Sequence, residues 1–208
     1  FRIPKDLPII FSRSICPKCN SQIPLYRNIP IISYILQSGK CHHCNKSISL
    51  QYPIVELSTT IIFYSGLTNG WELDQYILFL WISSILLTIS IIDLRTLTIP
   101  LSLIIFMFIG ELIFLFINPE LRKEMFLGLI FGLTYLGIPF LITSIIYKKQ
   151  TLGYGDLLLI SLIGLWLGPI NILICIFLSC ILGLIVWIIK YLNKPENHKL
   201  PLGTYLSI

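Results

Sequence analysis

Two aspartates stand where aspartates are expensive. Asp156 closes the run Gly153-Tyr154-Gly155-Asp156 and leads directly into apolar sequence, and Asp93 ends another apolar run in Ile91-Ile92-Asp93-Leu94. An ionisable side chain at membrane depth costs roughly 2.5–3.5 kcal/mol on insertion scales, so it marks a functional site by default. Two carboxylates that meet can share one proton, because repulsion between like charges keeps one protonated while the other ionises. The ionised member can take a proton from water and the protonated one can donate to a scissile carbonyl, which is the acid–base chemistry of aspartic peptidases. The sequence offers no Gly-x-Ser-x-Gly, and its three histidines lie outside the apolar runs. Gly153 and Gly155 permit close approach of backbone to the second carboxylate. The bland alternative is also physical: Asp156 after a glycine turn suits a helix cap, and Asp93 beside Arg95 suits a surface ion pair.

A second constellation is Cys16-Pro17-Lys18-Cys19 with Cys41-His42-His43-Cys44. Paired C-x2-C knuckles can place four thiolates around one tetrahedral Zn²⁺, and four thiolates close the coordination sphere, so such a metal is structural. Two disulfides or four free thiols are the alternatives, and disulfides are disfavoured in a reducing cytoplasm. Cys175 and Cys180 lie in an apolar run and read as small packing residues.

The elements that must carry these groups follow from composition. The 208 residues are 55% hydrophobic and 12% charged, with mean hydropathy +0.85, against about 25% charged in soluble domains. This pattern excludes an ordinary soluble globular domain and predicts an all-α polytopic membrane protein. Residues 1–52 are polar and irregular and read as a small cytoplasmic zinc-ribbon-like domain; 53–208 read as the transmembrane domain. Apolar segments fall near 54–69, 75–93, 98–117, 125–147, 154–168 and 170–191, with Gly168-Pro169 as a break. If 1–52 is cytoplasmic, six crossings put Arg95, Lys148, Lys149, Lys190, Lys194 and Lys199 inside and leave only Arg122 and Lys123 outside, as the positive-inside rule expects. That count also places Asp93 and Asp156 at the same, cytoplasmic, membrane face. The net charge of +5 then reflects topology, and no nucleic-acid partner is expected.

Glu56, near the start of the first apolar segment, reads as a headgroup-facing, ion-paired, capping or site-lining residue. Glu111, well inside the third, is expected to face the bundle interior and accept a hydrogen bond from a polar neighbour. Trp71, Trp81, Trp166 and Trp187 suit packing or interfacial positions.

Taken in order, these residues resemble the prepilin peptidases, or type IV leader peptidases, of the GxGD class of intramembrane aspartyl proteases. The resemblance rests on Ser12 to Cys19, Asn28-Ile29-Pro30, Ser33-Tyr34, Gly39-Lys40-Cys41-His42-His43-Cys44, Tyr52-Pro53-Ile54-Val55-Glu56, Ile92-Asp93-Leu94 with Ile99-Pro100, Gly153-Tyr154-Gly155-Asp156, and Pro201-Leu202-Gly203-Thr204-Tyr205. It implies that Asp93 and Asp156 are the catalytic pair and that Gly153 and Gly155 shape the active-site loop. It further implies cleavage of the short basic leader of prepilins and type II secretion pseudopilins at the cytoplasmic face of the bacterial inner membrane, in contact with lipid. Members with the cysteine domain commonly also methylate the new N-terminus with S-adenosylmethionine; no residue pattern independently marks where that cofactor binds.

The chain departs from the family pattern at four positions. Leu101 stands where Asp or Asn is frequent, Leu158 where Lys is frequent, and Leu202 and Thr204 where Phe and Pro are frequent. By the same comparison, the family's first membrane helix is missing before Phe1 and its last is truncated. Two other classes compete: an ion-coupled transporter using Asp93, Glu111 and Asp156, and a zinc-ribbon interaction protein tethered by helices. Transporters place acids near the midplane in interrupted helices, and a tether gives no reason for Gly-Tyr-Gly-Asp.

Overall fold

The structure is a computed structural model that describes residues 13–148, 153–193 and 202–207, without the side chains of 147, 190, 193 and 202. Lys149, Lys194, Lys199 and Pro201 lie outside the described residues, as does most of the stretch before the first knuckle. The chain is all-helical: α1 (Ile32–Leu36), α2 (Gln51–Thr68), α3 (Leu73–Thr96), α4 (Leu101–Ile117), α5 (Arg122–Tyr147), α6 (Tyr154–Asn193) and α7 (Leu202–Leu206). Among the described residues, extended pairing is confined to two isolated bridges, Ile15 with Gln22 and Lys40 with Ser47. Two compact units are present, residues 1–65 and 66–208; the first therefore takes in most of α2 in addition to the cysteine region.

In the second unit three helices are long and apolar enough to cross a membrane: Leu73–Thr96, Pro119–Ile146 and Tyr154–Ile189; Leu101–Ile117 is apolar but shorter. The first expected crossing, 54–69, is not among them, because α2 carries Gln51, Glu56 and a run of hydroxyl residues. The break expected at Gly168-Pro169 is present. Gly168 adopts φ 77°, ψ 177°, a region open essentially to glycine alone. A Cβ at Gly164 would lie 3.5 Å from Ile172, a residue two turns further on, so the chain doubles back and α6 is a helical hairpin with arms 154–167 and 169–193.

A seam of glycines joins α5 to that hairpin. A Cβ at Gly132 would lie 2.7 Å from the Ile160 carbonyl oxygen, and Cβ atoms at Gly128 and Gly164 would each run into the other's backbone carbonyl. Gly128/Gly132 and Gly164/Gly168 are both spaced four apart, one turn of helix, so each pair lies on one face. Small residues at this spacing let backbones approach where lipid removes any hydrophobic drive between helices. Between α3 and α4, Asn118 Nδ2 donates to Asp74 Oδ2 at 2.7 Å and Trp81 Nε1 donates to the Phe106 carbonyl at 3.0 Å. The core between these helices contains Ile82, Ile89, Met107, Ile160, Ile163 and Ile172, all essentially inaccessible.

Candidate functional site

Asp93 lies in the last turn of α3. Its carbonyl accepts the Leu97 N–H at 2.9 Å, and Leu97 ends the helix in the left-handed conformation (φ 53°). Asp156 lies in the first turn of α6, with its N–H donated to the Gly153 carbonyl at 3.2 Å. Helix end and helix start therefore supply the two carboxylates. Ile99 joins the two halves: a Cβ at Gly155 would lie 3.1 Å from Ile99 Cβ, and a Cβ at Gly203 2.9 Å from Ile99 Cδ1. The segments that carry Asp156 and abut Asp93 thus meet at Ile99. Asp93 is only 4% exposed, whereas Asp156 is partly open.

The residue that sequence reasoning passed over is Thr204. Its N–H donates to Asp93 Oδ2 at 2.8 Å, and its hydroxyl lies 3.1 Å from the same oxygen and 3.3 Å from the Ser90 carbonyl. α7 reaches Asp93 because Gly203 has no side chain: a Cβ there would stand 3.0 Å from Asp93 Oδ2. The short helix is fixed from the other side by α6, where Ser179 Oγ donates to the Tyr205 carbonyl at 2.8 Å and Cys175 Sγ approaches the Leu206 carbonyl at 3.8 Å. The available signal was a threonine departing from the family pattern beside a glycine. A Cβ on Gly153 would come within 3.0 Å of Asp156 Oδ2.

Glu111 corrects an expectation. It is fully buried on α4, as its position suggests, but neither carboxyl oxygen has a hydrogen-bond partner among the described residues. The facing stripe of α4 (Ile104, Met107, Phe114, Leu115) is apolar. Glu56 lies in the second turn of α2, and its Oε2 accepts the Ile31 N–H at 2.7 Å within the first unit.

Cys16, Cys19, Cys41 and Cys44 form one cluster, with all four Sγ atoms within 4.8 Å of one another. The two knuckles are built alike. In each, the N–H of the residue after the second cysteine donates to the first cysteine's carbonyl: Asn20 to Cys16 and Asn45 to Cys41, both at 2.9 Å. Each asparagine sits at positive φ, 56° and 52°, a region it tolerates better than most residues. A tetrahedral site with Zn–S of about 2.3 Å needs sulfurs about 3.8 Å apart, so the cluster fits such an ion after slight contraction. Hydrogen bonding from Ser21, first through its hydroxyl and then its backbone, pulls the Cys19 thiol down to about 6. Backbone N–H groups of Cys44 and His43 lower Cys41. At Cys44 the Lys46 N–H acts in the same sense, but desolvation and the neighbouring thiols outweigh it and push the group up to about 11.

Residues 1–69 match the family model described as the bacterial peptidase A24 N-terminal domain, and residues 77–188 match the one described as the type IV leader peptidase family. The prepilin leader peptidase/N-methyltransferase of Aeromonas salmonicida is 30% identical over 206 residues, covering 96% of this chain and 70% of the relative. The protein of the same name from Vibrio cholerae is 33% identical over 202 residues, covering 95% and 78%. A type 4 prepilin-like proteins leader peptide-processing enzyme from Escherichia coli is 29% identical over 212 residues, covering 99% and 76%. No solved structure matches.

Proposed function

The chain belongs to the type IV leader peptidase family, and from that premise we propose that it cleaves the basic leader of prepilins and pseudopilins with Asp93 and Asp156 as the catalytic pair. The observation that carries this reading is that Ile99 packs against both Gly155, the neighbour of Asp156, and Gly203, whose backbone abuts Asp93 Oδ2. One carboxylate takes a proton from water while the other donates to the scissile carbonyl, and the resulting gem-diol collapses to two peptides. Thr204 holds Asp93 in place through Oδ2. Gly153 and Gly155 keep the approach to Asp156 free of side chains, so an extended backbone can reach it. The basic residues next to the apolar segments support a site on the cytoplasmic face of the inner membrane.

The relatives' names carry a second activity, N-methyltransferase, and this chain is proposed to share it on the new N-terminus. S-adenosylmethionine, when bound, supplies a methyl group whose transfer forms one N–C bond, breaks one S–C bond and leaves a proton and a neutral thioether. Cys16, Cys19, Cys41 and Cys44 are proposed to hold a structural Zn²⁺ that fixes the two knuckles.

The deciding measurement is cleavage of a prepilin in membranes by the full chain, by Asp93→Asn and by Asp156→Asn. Each variant keeps a side chain of the same shape and loses the ionisable carboxyl. Both are expected to insert normally and to lose cleavage by at least about 10³-fold. Retained cleavage in either variant would remove that residue from the pair.

A further inference from the structure

The first unit carries an apolar face that its own fold leaves uncovered. α1 presents Ile32, Ile35 and Leu36 at the i, i+3, i+4 spacing of one helix face, and all three are exposed, Leu36 at 80%. Leu25, Tyr26 and Ile29, just before α1, are exposed as well, Leu25 also at 80%. The Gln37 amide ties the two segments together, donating to the Arg27 carbonyl at 3.4 Å and to the Ser33 carbonyl at 3.1 Å. The other side of α1 faces inward: Ser33 is buried, and the Tyr34 phenol packs where Gly39 has no Cβ. We propose that the exposed face docks on an anionic bilayer, with its aliphatic side chains at the acyl boundary and the neighbouring cations among the headgroups. This goes beyond the peptidase reading and does not depend on it.

The first support is depth. Ile31 has φ 60°, ψ −52°, with the Ile32 N–H turned back to the Pro30 carbonyl. This is a γ-turn of the rarer, strained hand, on a β-branched residue that avoids positive φ. Such strain persists only where the surroundings impose it, and here a carboxylate does so: Glu56 Oε2 accepts the Ile31 N–H at 2.7 Å. That bond fixes the start of α1 level with the second turn of α2. There α2 begins an exposed apolar stripe of Ile54, Leu57 and Ile61, spaced for one helix face. Ile61 lies about 7.5 Å beyond Glu56 along the helix axis, and interfacial apolar faces bury to about 5–10 Å. α1 therefore sits at the level where α2, entering a bilayer, would pass the headgroups.

The second support is charge. Among the described residues this unit holds Arg13, Lys18, Arg27, Lys40 and Lys46 against a single acid, Glu56, and that acid is engaged by Ile31. Two of the cations flank the apolar face: Arg27 follows Tyr26, and the Lys40 N–H closes the turn after α1 on the Gln37 carbonyl at 3.0 Å. Basic residues beside an apolar face are drawn to an anionic leaflet. The third support is residue type. Five of the six exposed residues are aliphatic. The sixth, Tyr26, has the Arg27 guanidinium 5.5 Å from its ring centre, a pairing suited to the headgroup level. Protein hot spots favour aromatic and arginine anchors fitted into pockets, whereas this face is aliphatic and edged by one sign of charge.

The test uses the full chain in nanodiscs, with Leu25→p-benzoylphenylalanine or Leu36→p-benzoylphenylalanine as the photoreactive probe. Both positions are 80% exposed, so neither probe disturbs packing. The discs are made of phosphatidylcholine alone, or of equal parts phosphatidylcholine and phosphatidylglycerol. Mass spectrometry after irradiation is expected to show lipid adducts at both positions. The yield should be at least about fivefold higher in the anionic discs, the factor that one basic residue near the surface supplies. Lys40→Gln should lower the yield in anionic discs and leave it unchanged in neutral ones. Adducts confined to protein, whether this chain or a second copy, overturn the proposal, and so does the absence of adducts. Equal yields in the two lipid compositions overturn it as well, because the cations would then play no part. Prepilin cleavage in the same discs reports separately on the peptidase reading: a chain that cuts but forms no lipid adducts refutes the docking alone.

Discussion

Thr204→Val isolates the contact that positions Asp93. Valine matches threonine in shape and keeps the backbone N–H, so the 2.8 Å bond to Oδ2 survives and only the hydroxyl at 3.1 Å is lost. A hydrogen bond to a carboxylate contributes about 1.5–3 kcal/mol. The lower end applies here, because the single hydroxyl proton is shared with the Ser90 carbonyl at 3.3 Å and one bond to Oδ2 remains. About 1.5 kcal/mol corresponds to roughly a tenfold loss of rate. The position is 2% exposed and receives a methyl in place of a hydroxyl, so folding stability should fall by no more than about the same 1.5 kcal/mol. The assay is steady-state cleavage of a purified prepilin, with melting temperature followed in parallel. The expected result is kcat lowered about tenfold with KM nearly unchanged, since Asp93 is misoriented rather than substrate contacts removed. Thr204→Ser should recover most of the rate. A valine variant within about twofold of wild type in kcat, or a serine variant as slow as valine, refutes the positioning role.

Gly132→Val should separate α5 from the α6 hairpin, because its Cβ would lie 2.7 Å from the Ile160 carbonyl oxygen; a loss of about 1–3 kcal/mol is expected by thermal unfolding in detergent. Cys16→Ser with Cys19→Ser should abolish a zinc content of about one ion per chain, read by elemental analysis, and unchanged zinc would count against the four-thiolate site. Glu111→Met should raise the melting temperature, since it removes a buried carboxyl whose oxygens have no hydrogen-bond partner among the described residues, a cost of about 1–3 kcal/mol; leader cleavage should persist, and its loss would give Glu111 a functional part. Gly203→Ala should slow cleavage by driving a methyl against Asp93 Oδ2 and Ile99 Cδ1. Gly183→Ala should not, because its nearest contact is the Tyr205 ring at an ordinary 3.5 Å.

The long helices of the second unit were legible because length and apolarity alone identify them, and the fold of α6 back on itself was legible because Gly168-Pro169 interrupts an uncharged run too long for one span. The knuckles were legible from cysteine spacing, and the asparagine after each second cysteine was a further signal of the positive-φ turns at 56° and 52°. The glycine seam was not. In a soluble bundle an apolar stripe announces which face packs, but in lipid both faces are apolar, and the contact is made by what is missing at Gly128, Gly132 and Gly164 rather than by what is present. The γ-turn at Ile31 was equally hidden, because isoleucine gives no local reason for φ of 60°; the reason is Glu56, twenty-five residues away along the chain.

Thr204 shows how a departure from a family pattern can carry structural information. Where proline is frequent, this chain has a residue that supplies both a backbone and a side-chain donor to Asp93 Oδ2. Proline offers neither, so those two bonds belong to this chain's own sequence and are not implied by the resemblance. That bounds the effect of losing them: a tenfold change is consistent with a local solution to positioning, whereas loss of Asp93 itself should be close to complete. The same logic applies to Ile99, which packs against Gly155 beside Asp156 and against Gly203, whose backbone abuts Asp93 Oδ2. Its side chain sets their spacing without any chemistry of its own, so shape at that position should matter more than polarity.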